Sequence, residues 1–246
     1  NRPRFPENIG AAARAIRNMG IGSLIVVEPG NFDQEKVLKM ATHESREVVE
    51  NIEFFSDLPD ALKAFGYVVG TTARLGNRRH AMNSPEKMAQ KLIPISRENR
   101  IAILFGPEDR GLTNDEIRNC HLLVNIPTAK FSSLNLAQAV MVICYELQKA
   151  SLEEPICGFV PRLANRRELD GMYSQMKEIL VRISFINADN PEYWMDNFRR
   201  FFSRLPLRAR EVSLIRGICR QINWYGKYCY ERGLKDRKDT NCNSTH

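Results

Sequence analysis

The chain reads as an α/β protein built on a mostly parallel sheet, followed by an all-helical extension. Three observations predict this. Short apolar, β-branched runs alternate with amphipathic stretches through residues 1–150. A stretch carrying two prolines and a glycine, 151–164, ends the alternation. Beyond it only helical periodicity recurs. Alternation of this kind implies parallel strands with helices packed on both faces.

The first amphipathic stretch covers 8–19 and begins near Glu7. Nothing ahead of it serves as a strand, because Pro3 and Pro6 interrupt the lead. A domain of this type ordinarily opens on a strand, so the natural protein is expected to carry a few residues upstream of Asn1. The run 23–27 (SLIVV) is the first strand, and 33–42 the next helix. Asp57 is placed to cap a helix over 57–65, ahead of a strand at 67–70 (YVVG). Ser84 then caps a helix over 84–93, with Pro85 at its first position. A strand at 101–105 (IAILF) is followed by a helix over 113–120, whose Thr113 and Glu116 form a capping box. The last strand is 121–126, and Ser132 or Ser133 caps an apolar helix from Leu134 to about Ala150.

Residues 151–165 read as a linker, and helices are expected near 166–186, 191–203 and 207–232. Asn190 and Pro191 suit a helix start. In the last helix Val212, Ile215, Cys219, Ile222, Tyr225 and Cys229 recur at three- and four-residue steps, giving one apolar stripe. Arg216, Arg220 and Lys227 fall off it. The organisation is thus a domain at 1–150, a linker, a helical basic unit at 166–234 and a frayed tail at 235–246.

Composition bounds the function. At 246 residues, 43% apolar and 26% charged, the chain has the balance of a globular protein with a sizeable core. No apolar run approaches 18 residues, and no secretory signal opens the chain, so neither a spanning helix nor a membrane partner is expected. The six cysteines form no CxxC pair and have no histidine at zinc spacing, which points to reduced thiols, a cytoplasmic chain and no metal. The formal charge of +7 is uneven: residues 1–150 carry +2, whereas 197–238 carry +9. Such asymmetry points to a polyanionic partner; a solvated helix face is the alternative.

Two turns carry the chemistry. Leu104–Leu112 (LFGPEDRGL) and Ile126–Ala137 (IPTAKFSSLNLA) each lead from an apolar strand into small polar residues. In one sheet both would open at the carboxyl edge, where ligands of open α/β sheets bind. Gly106 and Gly111 permit positive φ and close approach to the backbone. No acid occupies the first turn of the helix that follows Ser133, so its N–H groups are open to a ligand. A third segment, Asn8 to Arg14, starts the first helix with small residues at 10–13, and Arg14 follows Gly10 by one turn. Its guanidinium suits either a salt bridge or a phosphate.

Together, in this order, the segments resemble the SpoU (TrmH) branch of the SPOUT methyltransferases. The matching residues are Asn8, Gly10 and Arg14, then Phe105–Leu112, then Ser133–Asn135. The helical extension, the doublet Ser132-Ser133 and the run Gly70-Thr71-Thr72-Ala73-Arg74 bring the chain closest to TrmJ-like enzymes. The resemblance implies a trefoil-knotted sheet, an obligate homodimer, and methylation of a tRNA ribose 2′-hydroxyl at anticodon-loop nucleotide 32. S-adenosylmethionine would be the donor and S-adenosylhomocysteine the product. Carried over, the cofactor residues are Thr71, Thr72, Ala73, Gly106, Ile126, Ser132, Ser133 and Leu134. Arg14 matches the proposed catalytic arginine, with Ser133 and Asn135 orienting the hydroxyl and Glu108 bracing the loop or pairing with Arg14. Arg199, Arg200, Arg204, Arg208, Arg216 and Arg220 are candidates to hold the tRNA body. Pro107 departs from the basic residue of several relatives. Rival readings are another tRNA or rRNA ribose, a non-catalytic RNA-binding protein of the same fold, and a Rossmann dehydrogenase, the last lacking its glycine fingerprint.

Overall fold

The computed structural model describes residues 1–73, 82–129, 133–153, 160–203 and 205–242. Helix α1 (Pro6–Asn18) starts on a proline, whose missing N–H is not needed in a first turn. It is followed by β1 (Ile25–Val27), α2 (Gln34–Ala41), α3 (Arg46–Glu50), β2 (Glu53–Phe55) and α4 (Leu58–Leu62). Then come β3 (Tyr67–Thr71), β4 (Met82–Asn83), α5 (Pro85–Ser96), β5 (Ile101–Leu104), α6 (Asn114–Ile117), β6 (Leu122–Val124) and α7 (Leu136–Leu152). Asp57 and Ser84 cap as expected, and Thr113 and Glu116 form the capping box.

All described strand pairings are parallel, in the order β4-β6-β3-β5. Strand β3 is central, and Gly70 lies opposite both Leu104 and Leu123. One face of the sheet presents Val68, Leu104 and Leu123 to Leu58 and Leu62 of α4 and Ile117 of α6. The other presents Tyr67, Val69, Leu122 and Val124 to α5 and α7 through Met88, Leu92, Ile143 and Leu147. Burying each such aliphatic side chain contributes about 1.5–3 kcal/mol, and this two-sided burial explains why β3 reads as a continuous apolar run. A Cβ at Gly10 would lie 2.1 Å from the Val37 carbonyl, so glycine there lets α1 close onto α2.

The expected single sheet is split. Among the described residues β1 pairs with β2 alone, and an apolar cavity of about 420 Å³ separates it from β5. The lead 1–5 forms no strand, as its prolines require; the Arg2 N–H donates to the Val27 carbonyl at 2.8 Å.

The extension comprises α8 (Arg166–Arg182), α9 (Pro191–Phe202) and α10 (Ala209–Cys242), around Met172, Met176, Met195, Val212 and Cys219. Two expectations change here. The stretch 160–165 is pinned: Leu163 packs in the sheet core, its N–H donates to Asn99 Oδ1 at 2.6 Å, and it bridges to Arg208. Residues 154–159 lie outside the description. The tail expected to fray is helical as far as Cys242, since no proline follows Pro206 and leucine, lysine and arginine dominate 234–238. Among the described residues no helix is long and apolar enough to cross a membrane.

Candidate functional site

Strands β6, β3 and β5 end side by side, so Ile126, Thr71–Ala73 and Phe105–Leu112 all emerge at one edge of the sheet. Thr71 Oγ1 donates to the Leu104 carbonyl at 3.1 Å, tying β3 to the mouth of the β5 loop. On the other side the Thr72 N–H donates to the Val124 carbonyl at 3.0 Å, and Asn125 Nδ2 donates to the Thr72 carbonyl at 2.9 Å. Thr71, Thr72, Gly106 and Ile126 are half-buried, Ala73 exposed.

The glycines of the β5 loop serve the loop itself. Gly111 has φ +64, the left-handed region. A Cβ on Gly106 would lie 2.4 Å from both the Gly111 carbonyl carbon and the Leu112 nitrogen. Gly106 therefore lets the loop fold back against its own exit, rather than only admitting a ligand. The loop runs out into α6, where burial alone would push the Glu116 carboxyl up. Hydrogen bonds from Thr113 and the contacts of Arg2 and Asn1 outweigh it and hold that carboxyl below its ordinary value.

A chain of side-chain hydrogen bonds joins the three segments singled out in the sequence. Asn8 of α1, a buried residue, donates through Nδ2 to Glu108 Oε1 at 2.8 Å. Its Oδ1 accepts from Asn135 Nδ2 at 2.9 Å. Glu108 Oε2 accepts the Arg4 backbone N–H at 3.0 Å, and Arg4 pairs with Asp109 at 2.9 Å on the surface. Sequence reasoning left Asn8 without a role and passed over Asn125. The signal available for Asn8 was a polar residue at the start of an otherwise small and apolar helix face.

The expected positions of two residues shift. Asn135, not Ser132 or Ser133, caps α7: its Oδ1 accepts the Ala137 and Gln138 N–H groups in a capping box with Gln138. Asparagine is favoured because it caps with its oxygen while its amide donates to Asn8. Two of the N–H groups expected to be open are thus taken, and Ser133 stays exposed ahead of the cap. Glu108 braces the loop through Asn8 and Arg4 and makes no pair with Arg14. Arg14 is exposed and has no hydrogen-bond or ion-pair partner among the described residues. Ile126 and Leu134 make no hydrogen bond to another described residue. Ser132 lies outside the described residues.

The basic candidates separate into two kinds. Arg199 is held by Glu192 at 2.9 Å and Asp196 at 3.0 Å and lies over the Tyr173 ring. Arg216 donates to Gln175 at 3.0 Å and lies along Gly171 of α8. Both already have partners within the helical unit. Arg200, Arg208 and Arg220 are exposed and make no side-chain ion pair among the described residues. Arg204 lies outside them. No cluster of described side chains could hold a metal.

The SpoU rRNA Methylase family model matches residues 1–145, more than half of the chain. The chain belongs to this family. A second family model, the C-terminal domain of tRNA methyltransferase TrmJ, matches residues 167–236. The SpoU-family chain is 32% identical over 220 residues to the tRNA (cytidine/uridine-2′-O-)-methyltransferase TrmJ of Sodalis glossinidius, covering 87% of this chain and 86% of the relative. It is 30% identical over 226 residues to the tRNA (cytidine/uridine/adenosine-2′-O-)-methyltransferase TrmJ of Pseudomonas aeruginosa, covering 87% and 88%. Among solved structures, TrmJ from Zymomonas mobilis (Z. mobilis ZM4) superposes with a TM-score of 0.76 at 27% identity, over 90% of this chain and 96% of that one. A probable methylase family protein from Haemophilus influenzae superposes with a TM-score of 0.58 at 28% identity, over 92% and 94%. These likenesses make the chain an RNA methyltransferase with the α/β fold and helical extension read from its sequence.

Proposed function

We propose that this SpoU-family chain transfers the methyl group of S-adenosylmethionine to the 2′-hydroxyl of tRNA nucleotide 32, a cytidine or uridine, working as a cytoplasmic homodimer. The observation that carries the proposal is the Glu108–Asn8–Asn135 chain, which locks three otherwise distant segments at the ligand-binding edge of the sheet. The names of relatives matching both parts of the chain support tRNA and the ribose 2′-oxygen. In this reading the loops 104–112 and 126–135 belong to a trefoil knot.

The residues fit a small polar ligand with an adenosyl group. Three strand ends offer backbone donors and acceptors, and the Gly106 turn is fixed by its own packing. Thr71, Thr72, Ala73, Gly106, Ile126 and Leu134, with Ser132 and Ser133, would hold S-adenosylmethionine. When bound it supplies an electrophilic methyl group. The work left to the chain is orientation. A ribose hydroxyl is a poor nucleophile and loses its proton as it attacks, so alignment supplies most of the acceleration. Guanidinium is not deprotonated in proteins, which suits Arg14 to binding the adjacent phosphate rather than acting as base. Arg14, exposed and without a partner among the described residues, accords with a phosphate partner outside the chain. Ser133 and Asn135 would orient the sugar, Asn135 from a fixed cap.

Incubation with methyl-labelled donor and a tRNA transcript, followed by mass spectrometry of nuclease digests, tests this reading. One 2′-O-methyl group at nucleotide 32 is expected. A methyl on another ribose overturns the position, and no transfer with intact tRNA binding favours a non-catalytic RNA binder.

A further inference from the structure

The part of α10 beyond Asn223 carries a feature that the assigned arginines leave unused. Its burial ends early: Val212 and Cys219 are buried, while every residue from Trp224 to Leu234 is exposed. In this free part Trp224 and Tyr228 stack on each other, ring centroids 5.5 Å apart and planes 13° from parallel. They are 57% and 45% exposed, a large aromatic surface left in water.

The surroundings of this pair are basic. Arg220 lies one turn before Trp224, Lys227 beside the pair and Arg232 one turn after Tyr228, and Glu231 is the sole acid between Val212 and Leu234. The exposed Arg220, Lys227 and Arg232 make no ion pair among the described residues. At 100° per residue, the pair sits on the flank of α10 shared with Arg220 and Lys227. The apolar continuation of the core stripe, Ile222 and Cys229, faces roughly 120° away. A second copy of the chain would cover that apolar stripe. Flat rings among unpaired cations instead match a strand whose bases present π faces and whose phosphates are anionic.

We infer that Trp224 and Tyr228 form a stacking platform for an unpaired base of the RNA substrate, with Arg220 and Lys227 on the flanking phosphates. This rests on the reading of the chain as a tRNA-modifying enzyme. It adds a second contact class to phosphate binding, one that tolerates any base but requires it to be unstacked from a duplex.

The test compares the full-length chain with W224A/Y228A and W224F/Y228F, using a tRNA transcript and a fully paired RNA duplex of equal length. The alanine pair should weaken tRNA binding about 10- to 100-fold, the range of base–aromatic stacking. The phenylalanine pair should bind as wild type does, and duplex affinity should be unchanged in both. The salt dependence should keep its slope, because stacking releases no counterions. At saturating tRNA kcat should hold while KM rises. With Trp194 replaced by phenylalanine, tRNA should quench the fluorescence of the remaining Trp224. Equal tRNA affinity in wild type and the alanine pair overturns the platform alone. Loss of dimers on sedimentation, with tRNA affinity kept, also overturns it and makes the face an interface between copies. A wild-type chain that does not bind tRNA overturns both this inference and the reading beneath it.

Discussion

Asn8→Asp is the sharpest perturbation of the site, because it changes one atom in the chain of bonds joining the three segments. Asn8 Nδ2 donates to Glu108 Oε1 at 2.8 Å, and Asn8 Oδ1 accepts from Asn135. Aspartate keeps the acceptor but removes the donor, and sets a second carboxylate against Glu108. Loss of a hydrogen bond to a charged group costs about 1.5–3 kcal/mol. Two carboxylates relaxed to about 4 Å apart would add up to about 4 kcal/mol near a protein surface, and the half-exposed position of Glu108 lowers that to roughly 1 kcal/mol. The sum is about 2.5–4 kcal/mol at pH 7, a fall in Tm of roughly 5–15 °C for a chain of this size. The pH dependence has a definite sign. Two carboxylates sharing the site retain one proton more tightly than either would in the unfolded chain. The native state then binds more protons than the unfolded one, so N8D regains stability as pH falls from 7 to 5. N8A, which loses the bonds without adding charge, should cost about 2 kcal/mol and show no such recovery. Thermal unfolding between pH 5 and 8 reads both. Identical curves for N8D and N8A, or an N8D chain within 0.5 kcal/mol of wild type, would refute the reasoning.

Gly106→Ala places a Cβ 2.4 Å from backbone atoms of Gly111 and Leu112, so the loop must open; S-adenosylhomocysteine affinity by calorimetry should fall at least about 10-fold, for about 1–3 kcal/mol of overpacking. Arg14→Ala should cut kcat by about 10²-fold or more while leaving that affinity intact, in keeping with a group that orients substrate; full turnover would remove Arg14 from the site. R200A, R208A and R220A should each lessen the slope of log affinity against log salt by about 0.7–0.9, whereas R199A should lower Tm instead. Burial pushes the Cys120 thiol up to about 12 and the Cys144 thiol to about 11, so with Cys157, Cys229 and Cys242 changed to serine the native chain should release no fast-reacting thiol at pH 8.

Strands β1, β3, β5 and β6 were legible because each is a β-branched or leucine-rich run between turn residues. Strands β2 and β4 were not: Glu53 and Phe54 are exposed and β4 has two residues, so their pairing depends on neighbours distant in sequence. The cap of α7 was misread for a related reason. Ser132, Ser133 and Asn135 all suit a cap locally, and the choice is made by Asn8, 127 residues away. The brace on Glu108 spans 100 residues and left no local trace. On α10 the apolar spacing reads as one stripe, yet only its first half meets a partner, because α8 and α9 cover no more of it. Motif order showed the edge where chemistry belongs; which side chain held which was set by the fold.

The decisive comparison is hydrogen exchange with and without S-adenosylmethionine. Slower exchange at 71–73, 105–112, 125–129 and 133–138, and little change elsewhere, is the expected result. Protection confined to the apolar cavity between β1 and β5, at 24–27 and 101–103, with those turns unaffected, would contradict the placement of the methyl donor at the sheet edge.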